Sequence, residues 1–200
     1  NLAVAYGKTN HISWCEHQSV VSIFSPFRRT FQAKEPTTNI EVSACVTQVS
    51  WHPTEPCLLA GGTVNGQIVI WNIDEPQPVL HQSEIDEYFH REAISSLIWV
   101  RQESLVSLAI STSLVSTATD GKILVWRLAD KLRFPVKGHL LAKKKGTETA
   151  IIGGTALDKV FIPEDNTYFV GTEGGQVFKC AVTQPNDSDI SHYFEASQGL

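Results

Sequence analysis

The sequence predicts an all-β fold built from one antiparallel unit used several times. Three observations carry this. LAGGTVNGQIVIWNI at 59–73, LVSTATDGKILVWRL at 114–128 and FVGTEGGQVFKCAV at 169–182 echo one another. Their turn glycines, Gly66, Gly121 and Gly175, stand 55 and 54 residues apart. The strand-end residues Trp71, Trp126 and Cys180 keep the same two intervals. A fixed period of this kind marks a repeat architecture, here wedge-like β-sheets around an axis: the blades of a β-propeller.

Each unit can be justified in order. In the first, SVVSIFS places Phe24 where the tryptophans stand, 47 residues before Trp71, and NLAVAYG reads as its inner strand. Asn65-Gly66 and Asp120-Gly121 lie between runs of Val, Ile and Leu. Such dipeptides predict a hairpin with a type I′ turn, whose two central residues both need positive φ. Gly174-Gly175 can make the same turn. A further strand precedes each hairpin: VTQVSW ending at Trp51, ISSLIW ending at Trp99, and TALDKVF from Thr155 to Phe161. Pro53, Pro56 and Pro163 follow two of these strands and read as turns, because proline removes a ladder donor. Gly61-Gly62 and Gly153-Gly154 sit in strand contexts where they allow close backbone approach. No stretch holds a helical apolar stripe over three turns; EIDEYFHREA at 84–93 reads as a helical turn or two inside a loop. The blades are expected at about 1–30, 40–75, 90–130 and 150–183, with 184–200 a connector. Compact blades need about 40–45 residues, so the surplus belongs in loops. Four blades are expected to be part of a larger, seven-bladed ring.

Composition narrows the function classes. The 200 residues are 42% hydrophobic, enough for a sizeable core. No run of about 18 apolar residues is present, so no membrane-spanning helix is expected. Net charge is −5, from 16 basic and 21 acidic residues, which argues against nucleic-acid binding. Lys143-Lys144-Lys145, the one dense basic run, reads as a solvated loop between blades or a contact to an acidic partner. Cys15, Cys45, Cys57 and Cys180 show no paired spacing and read as reduced thiols of an intracellular protein, the last three as small core residues.

Catalytic and metal motifs are missing. Cys15 and His17, near His11, Trp14 and Glu16, supply two metal ligands at most, where a zinc site needs four. GxSxG, GxxxxGK[ST] and HExxH do not occur. Glu84, Asp86 and Glu87 read as solvated surface. No catalytic, cofactor or metal residue is assigned. A site in the propeller channel would need polar groups converging from several inner strands. LAVAYG, CLLAGG, SLVSTAT and YFVGTEG are mainly small and apolar.

The hairpins resemble WD-repeat blades. WHPTEPCLLAGGTVNGQIVIWNI, GTEGGQVFKC, and AVAYGKTNHISW followed by SVVSIFSPFRR resemble, in that order, blades of the dynein intermediate chains. The lysine run followed by GTETAIIGGTAL is similar to the dynein-2 branch, which serves retrograde intraflagellar transport. The resemblance covers most of residues 1–182. It implies a non-catalytic scaffold of the cytoplasm, cytoskeleton, cilium and basal body, whose propeller clasps the tail of the dynein heavy chain. Light chains and the second intermediate chain are expected to engage regions outside these 200 residues. A general WD-repeat adaptor, for trafficking or ubiquitin ligation, is the alternative. WD-repeat blades often hold a buried His, Ser/Thr, Asp and Trp in a hydrogen-bonded tetrad. Asn72 and Arg127 stand where the Trp-Asp pair would place Asp, so the tetrad reads as incomplete, with His139 of Gly138-His139 as its candidate histidine.

Overall fold

The computed structural model describes residues 1–8, 17–86, 88–103, 110–145, 148–159, 167–181 and 192–195. Sheet I contains β1 (Leu2–Tyr6), β2 (Ser19–Phe24) and β3 (Thr38–Val42). Sheet II contains β4 (Val46–Trp51), β5 (Leu58–Thr63), β6 (Ile68–Asn72) and β7 (Val79–Gln82). Sheet III contains β8 (Ile94–Glu103), β9 (Ile110–Ala118), β10 (Lys122–Arg127) and β11 (Lys137–Leu140). A ribbon of β12 (Ala142–Lys145) and β13 (Glu148–Ile151) intervenes. Sheet IV contains β14 (Gly154–Lys159), β15 (Thr167–Thr172), β16 (Gln176–Ala181) and β17 (His192–Glu195). Every pairing is antiparallel between sequential strands. The fold is a partial WD-repeat β-propeller of successive sheets.

The sheets run beyond the expected blade ranges by one strand. β7, β11 and β17 are four-residue outer strands, and VLHQ and KGHL bury too little apolar surface to announce themselves. β17 lies inside the stretch read as a connector and pairs with β16. Thr38–Val42 pairs with β2, so it closes sheet I and does not open sheet II. The lysine run is the strand β12, paired with β13, where a loop was expected. No helix occurs among the described residues of 84–93; a turn with Phe89 N donating to Asp86 O (3.2 Å) takes its place.

The hairpin turns differ from expectation in one physical respect. Gly66, Gly121 and Gly175 have φ of 82°, 77° and 74°, whereas Asn65, Asp120 and Gly174 are not at positive φ. Each glycine amide bonds back three residues, to Thr63 O, Ala118 O and Thr172 O at 3.1, 3.2 and 3.0 Å. This is a three-residue loop, a β-turn followed by a left-handed glycine, and not the two-residue type I′ form. One glycine per turn is therefore essential and its predecessor is free to vary, as Asn, Asp and Gly show.

The core lies between sheets. Val21, Ile23, Ile40, Leu59, Val69 and Trp71 fill the space between sheets I and II. Ile68, Ile70, Leu97, Trp99, Leu124 and Trp126 fill that between II and III. Val115, Ile123, Val125, Tyr168, Phe178 and Cys180 fill that between III and IV. Trp71 and Trp126 are fully buried, each facing the preceding sheet, and Cys180 takes the equivalent position. Phe24, at the corresponding place in sheet I, is half-buried. Trp51 is half-buried against the first core, while Trp99 is buried and donates from Nε1 to Ser50 O of sheet II at 3.1 Å. Cys45 and Cys180 are buried, Cys57 is half-buried, and none of the three is in a disulfide. The loop holding His11, Trp14, Cys15 and Glu16, together with Phe161 and Pro163, lies outside the described residues.

Because Gly121 is held at positive φ with Ile152 O 2.9 Å from where a Cβ would stand, Gly121→Val should destabilise by about 2 kcal/mol or more. Gly174 has ordinary φ and nothing closer than 3.6 Å, so Gly174→Ala should change stability by under about 0.5 kcal/mol. Thermal melts of the two variants check the pair; equal losses would contradict the turn geometry.

Candidate functional site

Two features carry the polar chemistry of the interior: a tetrad in sheet III and a row of hydroxyls on the first strands of sheets II, III and IV. β9 and β10 are in register so that Ser116 faces Leu124 and Leu114 faces Trp126. Ser116 Oγ accepts from Trp126 Nε1 at 2.9 Å and lies 2.8 Å from His90 Nε2. His90 Nδ1 is 3.2 Å from Asp120 Oδ1. Asp120 Oδ2 accepts from Arg91 N at 3.0 Å, and its Oδ1 from Lys122 N at 3.0 Å. The chain is complete: Asp120, His90, Ser116, Trp126. All but Asp120 are essentially removed from solvent, and Asp120's side chain is 10% exposed.

This corrects the expected tetrad. The carboxylate comes from the hairpin turn, four residues after Ser116, and not from the residue after Trp126. The histidine is His90, which enters from the loop between β7 and β8. His139 pairs with Ile123, on the sheet face turned away from Trp126. Sequence reading missed His90 because its position depends on a loop fold; the available signal was a histidine four residues ahead of β8. Sheet II has no counterpart. Gly61 occupies the place of Ser116, its missing Cβ is filled by the Trp71 ring, and Trp71 Nε1 has no partner among the described residues.

Burial raises the Asp120 carboxyl pKa, but His90's hydrogen bond and charge, with the Arg91 and Lys122 amides, outweigh it and leave the group below its ordinary value. Between Tyr168 and Cys180, which face each other across β15 and β16, burial dominates; it pushes the Cys180 thiol up to about 12. That thiol stays protonated and unreactive.

The axis is lined differently from the sequence reading. β4, β8 and β14 contact one another in succession, and β1 lies against β4. In sheets II, III and IV the first strand is thus innermost, while CLLAGG, SLVSTAT and YFVGTEG are second-strand segments; LAVAYG is β1, which pairs with β2 as β5 pairs with β6 and so takes the second-strand place in three-stranded sheet I. β4, β8 and β14 each have a bulge near the start, at Thr47, Ser95 and Thr155. Thr47 Oγ1 reaches Ile94 O of sheet III at 2.6 Å, and Ser95 Oγ reaches Gly154 O of sheet IV at 2.6 Å. Leu157 N donates to Ser96 Oγ at 3.1 Å, and Lys159 Nζ to Trp99 O at 3.1 Å. These polar groups tie neighbouring sheets together. Among the described residues no group of three His, Cys, Asp or Glu is placed to hold a metal ion, and no helix is long and apolar enough to cross a membrane.

No family model matches the chain. Cytoplasmic dynein 2 intermediate chain 2 of Mus musculus is 30% identical over 195 residues, covering 90% of this chain and 35% of that protein. The Homo sapiens protein of the same name is 28% identical over the same shares. The 70 kDa intermediate chain of the Chlamydomonas reinhardtii flagellar outer arm is 29% identical over 136 residues, 68% of this chain and 22% of that one. The chain is a relative of the WD-repeat dynein intermediate chains. It spans about a third of the length of the dynein 2 proteins it matches, 35%. A chain in the crystal structure of the mitotic checkpoint complex superposes with a TM-score of 0.56 at 13% identity, over 82% of this chain and 41% of that chain, which shows the fold alone. In this dynein-related propeller, Trp51, Trp71, Trp99, Trp126 and Cys180 pack the sheets, and Gly66, Gly121, Gly175 and Asp120 shape the turns.

Ser116→Ala removes the acceptor for Trp126 and the partner of His90, and should cost about 1–3 kcal/mol. Trp126→Phe should lose about 1 kcal/mol more than Trp71→Phe, since only the first indole N–H is bonded. Chemical denaturation of the three variants reads both differences. A depressed carboxyl stabilises the fold above its unfolded value and loses that contribution as pH falls. The wild-type advantage over Asp120→Asn should therefore shrink as pH falls below 3.8. A pH-independent difference in melting temperature in that range would contradict the lowered carboxyl.

Proposed function

We propose that this propeller is a non-catalytic scaffold of a dynein motor complex. It grips the tail of the heavy chain for microtubule-based retrograde transport in cilia. The observation that supports this best is likeness over 90% of the chain to proteins named cytoplasmic dynein 2 intermediate chain 2. The axis-strand hydroxyls described above are engaged in bridging neighbouring sheets. A rigid disc whose polar interior is committed to its own backbone offers its surface loops for recognition. On this reading the protein works in the cytoplasm and on the cytoskeleton, at the cilium and basal body, with the light chains and a second intermediate chain as companions in the complex.

Purification of the tagged full-length protein from ciliated cells tests the reading. Stoichiometric recovery of a dynein heavy chain is the expected result. Recovery of ubiquitin-ligase subunits with no heavy chain would replace it with the general adaptor reading.

A further inference from the structure

The loop between β2 and β3 presents an aromatic side chain that folding does not use. Phe27 is 99% exposed and Phe31 42% exposed. Arg28, Arg29 and Lys34 beside them are also exposed. Residues 25–37 hold three cations and one anion, a net +2 in a chain of net −5. The loop has a defined shape. Thr37 N donates to Ile23 O at 2.7 Å and closes it, and Ser25 Oγ donates to Asn1 Oδ1 at 2.9 Å at its base. Within it, Arg28 N, Phe31 N and Glu35 N each bond back three residues at 3.0–3.1 Å. Phe27 sits inside the first of these turns, so the backbone holds its ring out in water.

The corresponding loop of sheet III gives the contrast. Leu132 is buried in the core between sheets II and III, and the Phe134 ring lies 6.4 Å from that of buried Phe89. There the apolar residues anchor the loop to the sheets. Phe27 anchors nothing. Leaving a phenylalanine fully in water forgoes its burial, and aromatic residues with arginine are the side chains that dominate protein interfaces. Among the described residues neither guanidinium is in a salt bridge, and arginine pairs with carboxylates through two parallel hydrogen bonds. A hollow of about 230 Å³ lined by Arg28, Phe31 and Glu35 lies in the same loop. That is below the size of small-molecule pockets and suits one inserted side chain.

We propose that loop 25–37 is a docking element for an acidic segment of a partner polypeptide. Phe27 enters an apolar pocket of the partner, and Arg28 and Arg29 engage its carboxylates. A partner side chain fills the hollow beside Phe31. An anionic membrane is the poorer fit: the loop offers one fully exposed aromatic ring and a net +2, while the chain as a whole is acidic. The inference deepens the scaffold reading by assigning one of its contact surfaces.

Hydroxyl-radical footprinting of the full-length protein, free and in the assembly purified from ciliated cells, tests it. Phe27 oxidation should fall severalfold in the assembly, and zero-length carbodiimide coupling should join Lys34 to an Asp or Glu of another chain. Phe27→Ser and the double variant Arg28→Glu, Arg29→Glu should each weaken that contact by about tenfold or more, the scale of a lost hot-spot residue, with melting temperature unchanged. Equal Phe27 oxidation in both samples overturns the inference whether or not a heavy chain is present. Protection by phosphatidylserine vesicles but not by the assembly overturns it in favour of a membrane. Protection by an assembly lacking a heavy chain supports the docking element and removes the dynein reading.

Discussion

A sheet between two others must bury both faces, and this constraint governs the inner residues of the fold. β5 shows it most fully, with all six of its positions buried. Two large side chains crowd that strand from opposite sides. The Trp71 ring fills the space above Gly61, and Ile94 of the next sheet fills that above Gly62. Glycine is required there by contact alone, since neither residue is at positive φ. Gly154 lies under Thr117 in the same manner between sheets III and IV. Tight packing of this kind leaves the strand register little freedom, because a one-residue slip would present the other face.

Apolar packing does not fix the angle between sheets; the bulge hydroxyls help to do so. Thr47 and Ser95 occupy equivalent positions and reach the equivalent carbonyl of the next sheet at 2.6 Å. The connection from each outer strand to the next first strand is also clasped to a hairpin turn, though by different atoms each time. Val64 N donates to Cys45 O, Arg91 N to Asp120 Oδ2, and Glu173 exchanges two bonds with Gly153, from its amide to O and from Gly153 N to its Oε1. The requirement is that the buried turn and loop satisfy each other. Side-chain carboxylates and bare backbone both meet it, which is why the tetrad can occur in sheet III and be missing from sheet II.

Strand pattern and turn glycines made the hairpins legible before any coordinates. Gly66, Gly121 and Gly175 each mark a sharp local geometry, and Trp71 and Trp126 mark its distance from the sheet end. Outer strands were illegible for the opposite reason. VLHQ has exposed Val79 and Leu80, so its place is set by pairing with β6 and not by its own burial. The first strands were found but their position was misread, because Thr47, Ser95 and Ser96 look like surface residues until their acceptors on the neighbouring sheet are known. His90 was hidden by its loop: Phe89 beside it packs 5.5 Å from the Trp126 ring, and Lys122 Nζ holds Phe89 O at 2.7 Å. These two contacts place that histidine's loop, and neither has a local sequence signature.

The loops after the third strand show how one framework can spend similar residues in opposite ways. After β10, Lys131 and Leu132 both adopt positive φ, 55° and 58°, which costs about 1–3 kcal/mol at each. The turn is held by Lys131 N donating to Leu128 O and by the Arg127–Asp130 pair at 2.9 Å. Its return is the burial of Leu132 to 1% exposure, worth about 1.5–3 kcal/mol, with Phe134 laid on Phe89. That loop is strained so that its apolar residues can reach the core. The loop after β2 closes through unstrained backbone turns, with no residue at positive φ, and keeps Phe27 in water. Since the sheets already satisfy their own faces, the second loop adds nothing to folding that an alanine in place of Phe27 would remove. On the docking proposal, its ring and arginines are free to serve a partner because the fold does not use them.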